Sequence, residues 1–176
     1  KAVVGIENNK PDAISHMKEL AAEFDGISVQ PLKVKYPQGG EKQLIKAVVN
    51  REVPSGKLPI EVGCVVHNVG TAFAVYEAVQ KNKPLVERVV TVTGDPVKKP
   101  SNFLVRIGTP IKELLEKAET DLENTGKIVS GGPMMGKALN STDVPVVKGT
   151  SGILLFRNEN SKRVYLKPCI LCVSCI

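Results

Sequence analysis

The sequence predicts two successive mixed architectures, an α/β stretch and then a β-grasp-like α+β unit of about 70 residues, near the lower end for a single core. Three observations predict this. Through the first half, short apolar runs alternate with stretches of helical period. From Glu87 onward, a hairpin pattern, one helix and further short strands follow. At the end, Pro168-Cys169-Ile170-Leu171-Cys172-Val173-Ser174-Cys175-Ile176 sets off a third segment with cysteines spaced C-x2-C-x2-C.

The first elements follow from apolar periodicity and its punctuation. Ala2 to Ile6 is a short apolar strand. Asn8-Asn9-Lys10-Pro11-Asp12 supplies caps and a proline suited to a helical first turn. Ile14, Met17, Leu20, Ala21 and Phe24 repeat at helical spacing until Asp25-Gly26 stops them. Ile27 to Val34 is a second strand, and the loop Tyr36-Pro37-Gln38-Gly39-Gly40 leads into a helix opened by Glu41, with Leu44, Ile45, Val48 and Val49 on one face. Residues 51–61 are rich in proline and glycine and form an irregular loop. Val62 to Val66 is expected as an apolar strand, followed by the turn His67-Asn68-Val69-Gly70-Thr71. A helix from about Ala72 to Lys81 is apolar nearly all round, hence expected to be buried.

The second unit opens with the β-branched strand Val89-Val90-Thr91-Val92-Thr93. A turn-rich stretch, Gly94 to Pro100, joins it to Phe103 to Ile107 as a hairpin. Thr109-Pro110 caps a helix with Ile111, Leu114, Leu115 and Ala118 inward. Lys127 to Val129, the loop Gly131-Gly132-Pro133-Met134-Met135-Gly136, and the apolar runs Val144 to Val147 and Gly152 to Phe156 close the unit.

Composition narrows the class. Of 176 residues, 42% are hydrophobic and 24% charged, which suits a globular chain and rules out collagen-like, coiled-coil and disordered classes. No apolar run reaches the roughly 20 residues of a membrane span. The net charge of +6 favours phosphate or acidic partners, but the lysines are spread evenly and aromatics are only 4%, without Trp. Nucleic-acid binding by base stacking is therefore not expected. The chain opens at Lys1 rather than Met and ends at Ile176 within the cysteine cluster, so it reads as an internal fragment.

Four places offer chemistry. The spacing of Cys169, Cys172 and Cys175 lets successive thiolates wrap one face of a cubane, as at the opening of a ferredoxin-type run. Zinc sites usually use two separated pairs, and three clustered cysteines pair poorly with Cys64 alone, so an iron–sulfur cluster is favoured over zinc, disulfides or unliganded thiols. The loop Gly39-Gly40-Glu41 brings backbone amides and a helix start together, which suits a phosphate or a flavin ring. Taken alone, it is better explained as a plain connection with Glu41 as a first-turn residue. His67, Asn68 and Thr71 follow an apolar run, where ligands of open α/β sheets sit; taken alone, they form a capped turn with Thr71 as N-cap. Met134 and Met135 suit a packing gap or interdomain contact, Cys64 is expected to be buried in its strand, and His16 lies on a helix surface.

In combination, Lys35 to Leu44, Val65 to Thr71, Gly131 to Gly136 and the Cys169 cluster resemble the C subunit of Rnf electron-transport complexes, whose core is similar to the NADH-oxidising, FMN-binding subunit of respiratory complex I. The resemblance spans essentially the whole chain. It implies a truncated Rossmann-like flavin/NADH domain at 1–86, a β-grasp soluble-ligand-binding domain at 87–157 and the start of a 4Fe–4S ferredoxin-like segment at 158–176. It assigns Gly39, Gly40 and Glu41 to the flavin and nicotinamide, with Glu41 catalytic, and His67, Asn68 and Thr71 to FMN. Cys169, Cys172 and Cys175 become cluster ligands, with a fourth cysteine expected beyond Ile176. The family's upstream glycine-rich loop is not in this chain, and Val173 stands where a glycine is usual.

The activity so implied is electron transfer between NAD(H), FMN and 4Fe–4S clusters in an ion-translocating ferredoxin:NAD oxidoreductase. The partners implied are membrane and ferredoxin-like subunits, and ferredoxin indirectly. Location would be peripheral, on the cytoplasmic face of a bacterial or archaeal membrane. This stretch by itself is expected to hold neither cofactor tightly and to be inactive. The alternatives are a cobalamin reductase of a bacterial microcompartment and a non-catalytic β-grasp binding module.

Overall fold

The computed structural model describes residues Lys1–Ser161 as a mixed α/β chain. It divides into two compact units between Asn68 and Val69.

In the first unit, β1 (Ala2–Glu7) and β2 (Ile27–Leu32) pair in parallel, from Ala2↔Ile27 to Glu7↔Leu32. Parallel neighbours need a crossover, and α1 (Pro11–Ala21) provides it. Pro11 occupies the first turn and Asp12 adds a carboxylate where the helix dipole favours one. The expected Asn caps are not used: Lys10 is the N-cap, and its Nζ binds Glu7 at 2.7 Å. The helix stops at Ala21, so Phe24 falls in the following turn and is exposed. His16 is on the surface of α1, as expected.

α2 (Glu41–Val49) buries Ile45 and ends at Asn50 in the left-handed conformation. Gly5 lets α2 approach β1, since a Cβ there would lie 3.1 Å from Leu44 Cδ1.

The strand expected at Val62–Val66 is not formed. Pro59 instead starts a 3-10 turn, Pro59–Val62, which Gly63 ends at φ 68°. Those two residues commit the chain to a tight turn, and residues 64–68 have no regular structure. Cys64 is consequently only half-buried, with Sγ donating to Val62 O at 3.6 Å.

In the second unit, α3 (Val69–Lys81) starts before Thr71, which is therefore an early helical residue rather than the N-cap. Nor is α3 buried: Phe73, Tyr76 and Val79 are all exposed, Val79 by 73%. An apolar helix needs a layer over it, and no layer of described residues covers this one. Past its end, Lys83 Nζ binds Glu77 at 3.2 Å and Glu87 at 2.7 Å.

These bonds, Glu87's first, raise the Lys83 pKa, and Lys83 lowers that of Glu87. A depressed carboxylate pKa contributes stability that is present above the ordinary carboxylate range and lost as pH falls through the folded value; a raised lysine pKa contributes stability that is lost only on the alkaline side. Lys83→Met is therefore expected to lower the melting midpoint by a few degrees at neutral pH and by nothing at about pH 3. Melts of both proteins at the two pH values check this; an equal shift at both would point to lost packing instead.

Five strands form the second sheet in the order β4-β3-β7-β5-β6. They are β3 (Glu87–Gly94), β4 (Ser101–Arg106), β5 (Thr125–Ser130), β6 (Lys137–Leu139) and β7 (Gly152–Arg157). β3 and β7 run parallel, and the other pairs are antiparallel. α4 (Ile111–Lys117) covers one face, where Ile111, Leu114 and Leu115 pack with Val90, Val92, Ile153 and Leu155.

Alternation along β3 buries Val90 and Val92 and exposes Val89 and Thr91, the pattern of a sheet covered on one side. Pro110, not Thr109, is the N-cap of α4. Val146 is fully buried without belonging to a strand; its N–H donates to Thr109 O and its C=O accepts from Gly108 N, both at 2.8 Å.

Met134 and Met135 do not fill a packing gap. Gly136 N donates to Gly132 O at 2.8 Å, closing a loop that lifts both side chains outward, Met135 with 82% exposed. Asn158–Ser161 is a 3-10 turn, and the ferredoxin-like segment expected from there lies largely outside the described residues.

Candidate functional site

The glycine-rich loop precedes α2. Gln38 N donates to Lys35 O at 2.6 Å and Gly40 N to Pro37 O at 2.8 Å, so the chain turns twice before the helix begins. Gly40 is the N-cap in an extended conformation, with no side chain capping the helix. The leading amides of α2 therefore lack a side-chain acceptor and carry the positive end of the helix dipole.

The two glycines differ. A Cβ on Gly40 would lie 2.5 Å from Gln43 Oε1 and 3.1 Å from Pro37 O, whereas one on Gly39 would meet nothing within 4 Å. Gly40 thus lets the loop close, and Gly39 leaves a bare backbone face that a flat ligand can approach. Glu41 is exposed at the first helical position beside that face. Uncapped amides, a bare backbone and one carboxylate fit a ligand that combines anionic and ring parts, as FMN does.

Two side chains that the sequence did not single out hold the neighbouring chain. Lys42 Nζ donates to Pro54 O at 3.2 Å, and Arg51 Nη1 to Val62 O at 2.6 Å. The first ties the 51–62 stretch to α2 and the second draws the two ends of that stretch together, and nothing in their local spacing announces this.

His67 and Asn68 are exposed at the end of the first unit, and Thr71 is exposed on α3 in the second. No ion pair among the described residues joins His67 to Glu41. Two cavities of about 200 Å³ lie in the second unit, and none of the six candidate residues lines either. Cys169, Cys172 and Cys175 lie outside the described residues; among those described, no cluster of His, Cys, Asp and Glu could hold a metal.

Comparison with known proteins adds the wider frame. Residues 1–77 match the Nuo51 FMN-binding domain family and residues 89–138 match the SLBB domain family. The whole chain is 48% identical to the C subunit of the proton-translocating ferredoxin:NAD(+) oxidoreductase complex of Clostridium ljungdahlii and 44% identical to its Na(+)-translocating counterpart in Acetobacterium woodii. It is 41% identical to the C subunit of the ion-translocating oxidoreductase complex of Yersinia enterocolitica. The chain spans 38%, 40% and 25% of the lengths of these three relatives. With two family matches in succession and identity running along all of its residues, the close homologues of this chain are C subunits of Rnf-type ion-translocating oxidoreductase complexes.

Proposed function

We propose that this chain is the flavin- and nicotinamide-facing part, with the adjoining β-grasp domain, of an electron-transfer subunit in an ion-translocating ferredoxin:NAD oxidoreductase. The observation that carries the reading is the bare, uncapped helix start at Gly39–Glu41, set within the stretch that matches an FMN-binding family. The domain limits that go with it are 1–86 for a Rossmann-like flavin/NADH domain, 87–157 for the β-grasp domain and 158–176 for the start of a 4Fe–4S segment.

Bound FMN would supply the chemistry that accepts one hydride from NADH and releases its two electrons singly. The chain's own residues position the reactants. Gly39 leaves space for a ring against the backbone, and the α2 amides attract negative charge. Glu41 orients the nicotinamide side, while His67, Asn68 and Thr71 contact FMN. Cys169, Cys172 and Cys175 supply three thiolates to a 4Fe–4S cluster.

The partners are the complex's membrane and ferredoxin-like subunits, with ferredoxin reached through them, and the subunit sits peripherally on the cytoplasmic face. No helix among the described residues is long and apolar enough to cross a membrane.

The intact subunit, purified anaerobically, is expected to carry non-covalent FMN in stoichiometric amount and to lose its visible flavin absorbance on mixing with NADH. Acid extraction with flavin chromatography, followed by stopped-flow absorbance, tests this. A colourless subunit, or a flavin that NADH leaves oxidised, would remove the reading.

A further inference from the structure

The two edges of the second sheet are built differently. β6 is three residues long and begins with Lys137, a short and charged edge of the kind that discourages pairing. β4 is six residues long, without proline or bulge, and among the described residues its only strand partner is β3.

The direction of its free groups follows from the ladder. Ile107 N donates to Val86 O at 2.9 Å, one step beyond the pair Glu87↔Arg106. Antiparallel pairs alternate between bonded and non-bonded, so Val105, Phe103 and Ser101 bond to β3. Asn102, Leu104 and Arg106 therefore turn their backbone groups outward. Arg106 O is taken by Thr109 N at 3.2 Å, and the other outward groups have no backbone partner among the described residues.

A cavity of about 200 Å³ lies along this edge. Phe103, Val105 and Leu114 give it apolar walls, and Arg106, Lys117 and Glu113 stand around it exposed. Two cations against one carboxylate favour an acidic visitor.

We infer that β4 and the groove beside α4 form a docking site for an extended, acidic-flanked segment of a partner subunit, which adds to the sheet as a further strand. Its outward-paired backbone would meet Asn102 and Leu104. Alternate apolar side chains would enter the groove, and a neighbouring carboxylate would meet Arg106 and Lys117. The inference rests on the reading of this protein as a complex subunit.

The test compares amide hydrogen exchange in the intact subunit, free and within the purified complex. The Asn102 and Leu104 amides are expected to exchange freely in the free subunit and to slow by about tenfold or more on assembly. Leu104→Pro removes an outward N–H, which an edge strand tolerates, together with the exposed Leu104 side chain at the groove, and is expected to cut retention in the complex about tenfold with little change in melting. Lys117→Glu, which leaves the backbone untouched, should weaken retention in the same direction.

Equal exchange in both states, or amides already protected in the monomeric free subunit, would overturn the inference, the latter because the subunit's own chain covers the edge. Protection that disappears on dilution of the free subunit would overturn it in favour of a second copy. If the wild-type subunit does not co-purify with the complex at all, it is the reading as a complex subunit that fails.

Discussion

Gly94→Ala is expected to destabilise the second unit by on the order of 3–5 kcal/mol, a large share of what a small domain has. Gly94 ends β3 at φ 134°, a conformation that side chains rarely adopt. A Cβ there would run into the carbonyl oxygen of Leu155 and lie 2.7 Å from its nitrogen. Both are backbone atoms of β7, so no rotamer relieves the overlap. The strands must separate where Gly94 pairs with Leu155, and Leu155 is one of the fully buried residues of the core. Gly108→Ala is the control. Its φ is 99°, but a Cβ would meet nothing within 4 Å, so only backbone strain of about 1–3 kcal/mol is expected. Urea unfolding of the two variants, followed by circular dichroism and by the β3 and β7 amide resonances, separates them. Coincident midpoints would show that the β3–β7 approach relaxes without cost.

Glu41→Gln in the intact subunit is expected to slow flavin reduction by NADH about 10- to 100-fold while leaving FMN content unchanged. The change preserves size while removing the charge and replacing one acceptor oxygen with a donor NH2. If Glu41 merely favours the start of α2, its loss costs at most about 1 kcal/mol of stability and the rate stays the same. Stopped-flow reduction at saturating NADH, with flavin content measured on the same samples, distinguishes the two. A normal rate would reduce Glu41 to a first-turn residue. A lost flavin would place it in binding rather than in hydride transfer.

Several elements were legible because their signals are local. The βαβ start needed only two apolar runs with a helical period between them, and Pro11 marked the helix start. The hairpin and α4 were legible because Val90, Val92, Ile111, Leu114 and Leu115 repeat at the periods of strand and helix. Val62–Val66 misled for an equally definite reason: apolar content does not distinguish a strand from a tight turn, and Pro59 with Gly63 decided it. Phe24 continued the helical spacing beyond Ala21 although the backbone had already turned. For the site, Gly39, Gly40 and Glu41 stood out as a loop entering a helix, but the separate tasks of the two glycines depend on Gln43 and Pro37 folding back toward Gly40.

The sequence by itself determined the periodic elements, the order of the motifs and, through that order, the family resemblance. These are properties of neighbouring residues, and local sterics with apolar spacing are enough to express them. Tertiary structure alone decided the parallel pairing of β3 with β7, the burial of Val146 outside any strand and the short edge strand β6. It also left α3 uncovered and β4 open on one side among the described residues. Each of these depends on which distant segment arrives beside a given residue. An apolar side chain specifies that it favours burial, but the partner that buries it is set by the packing of the whole unit.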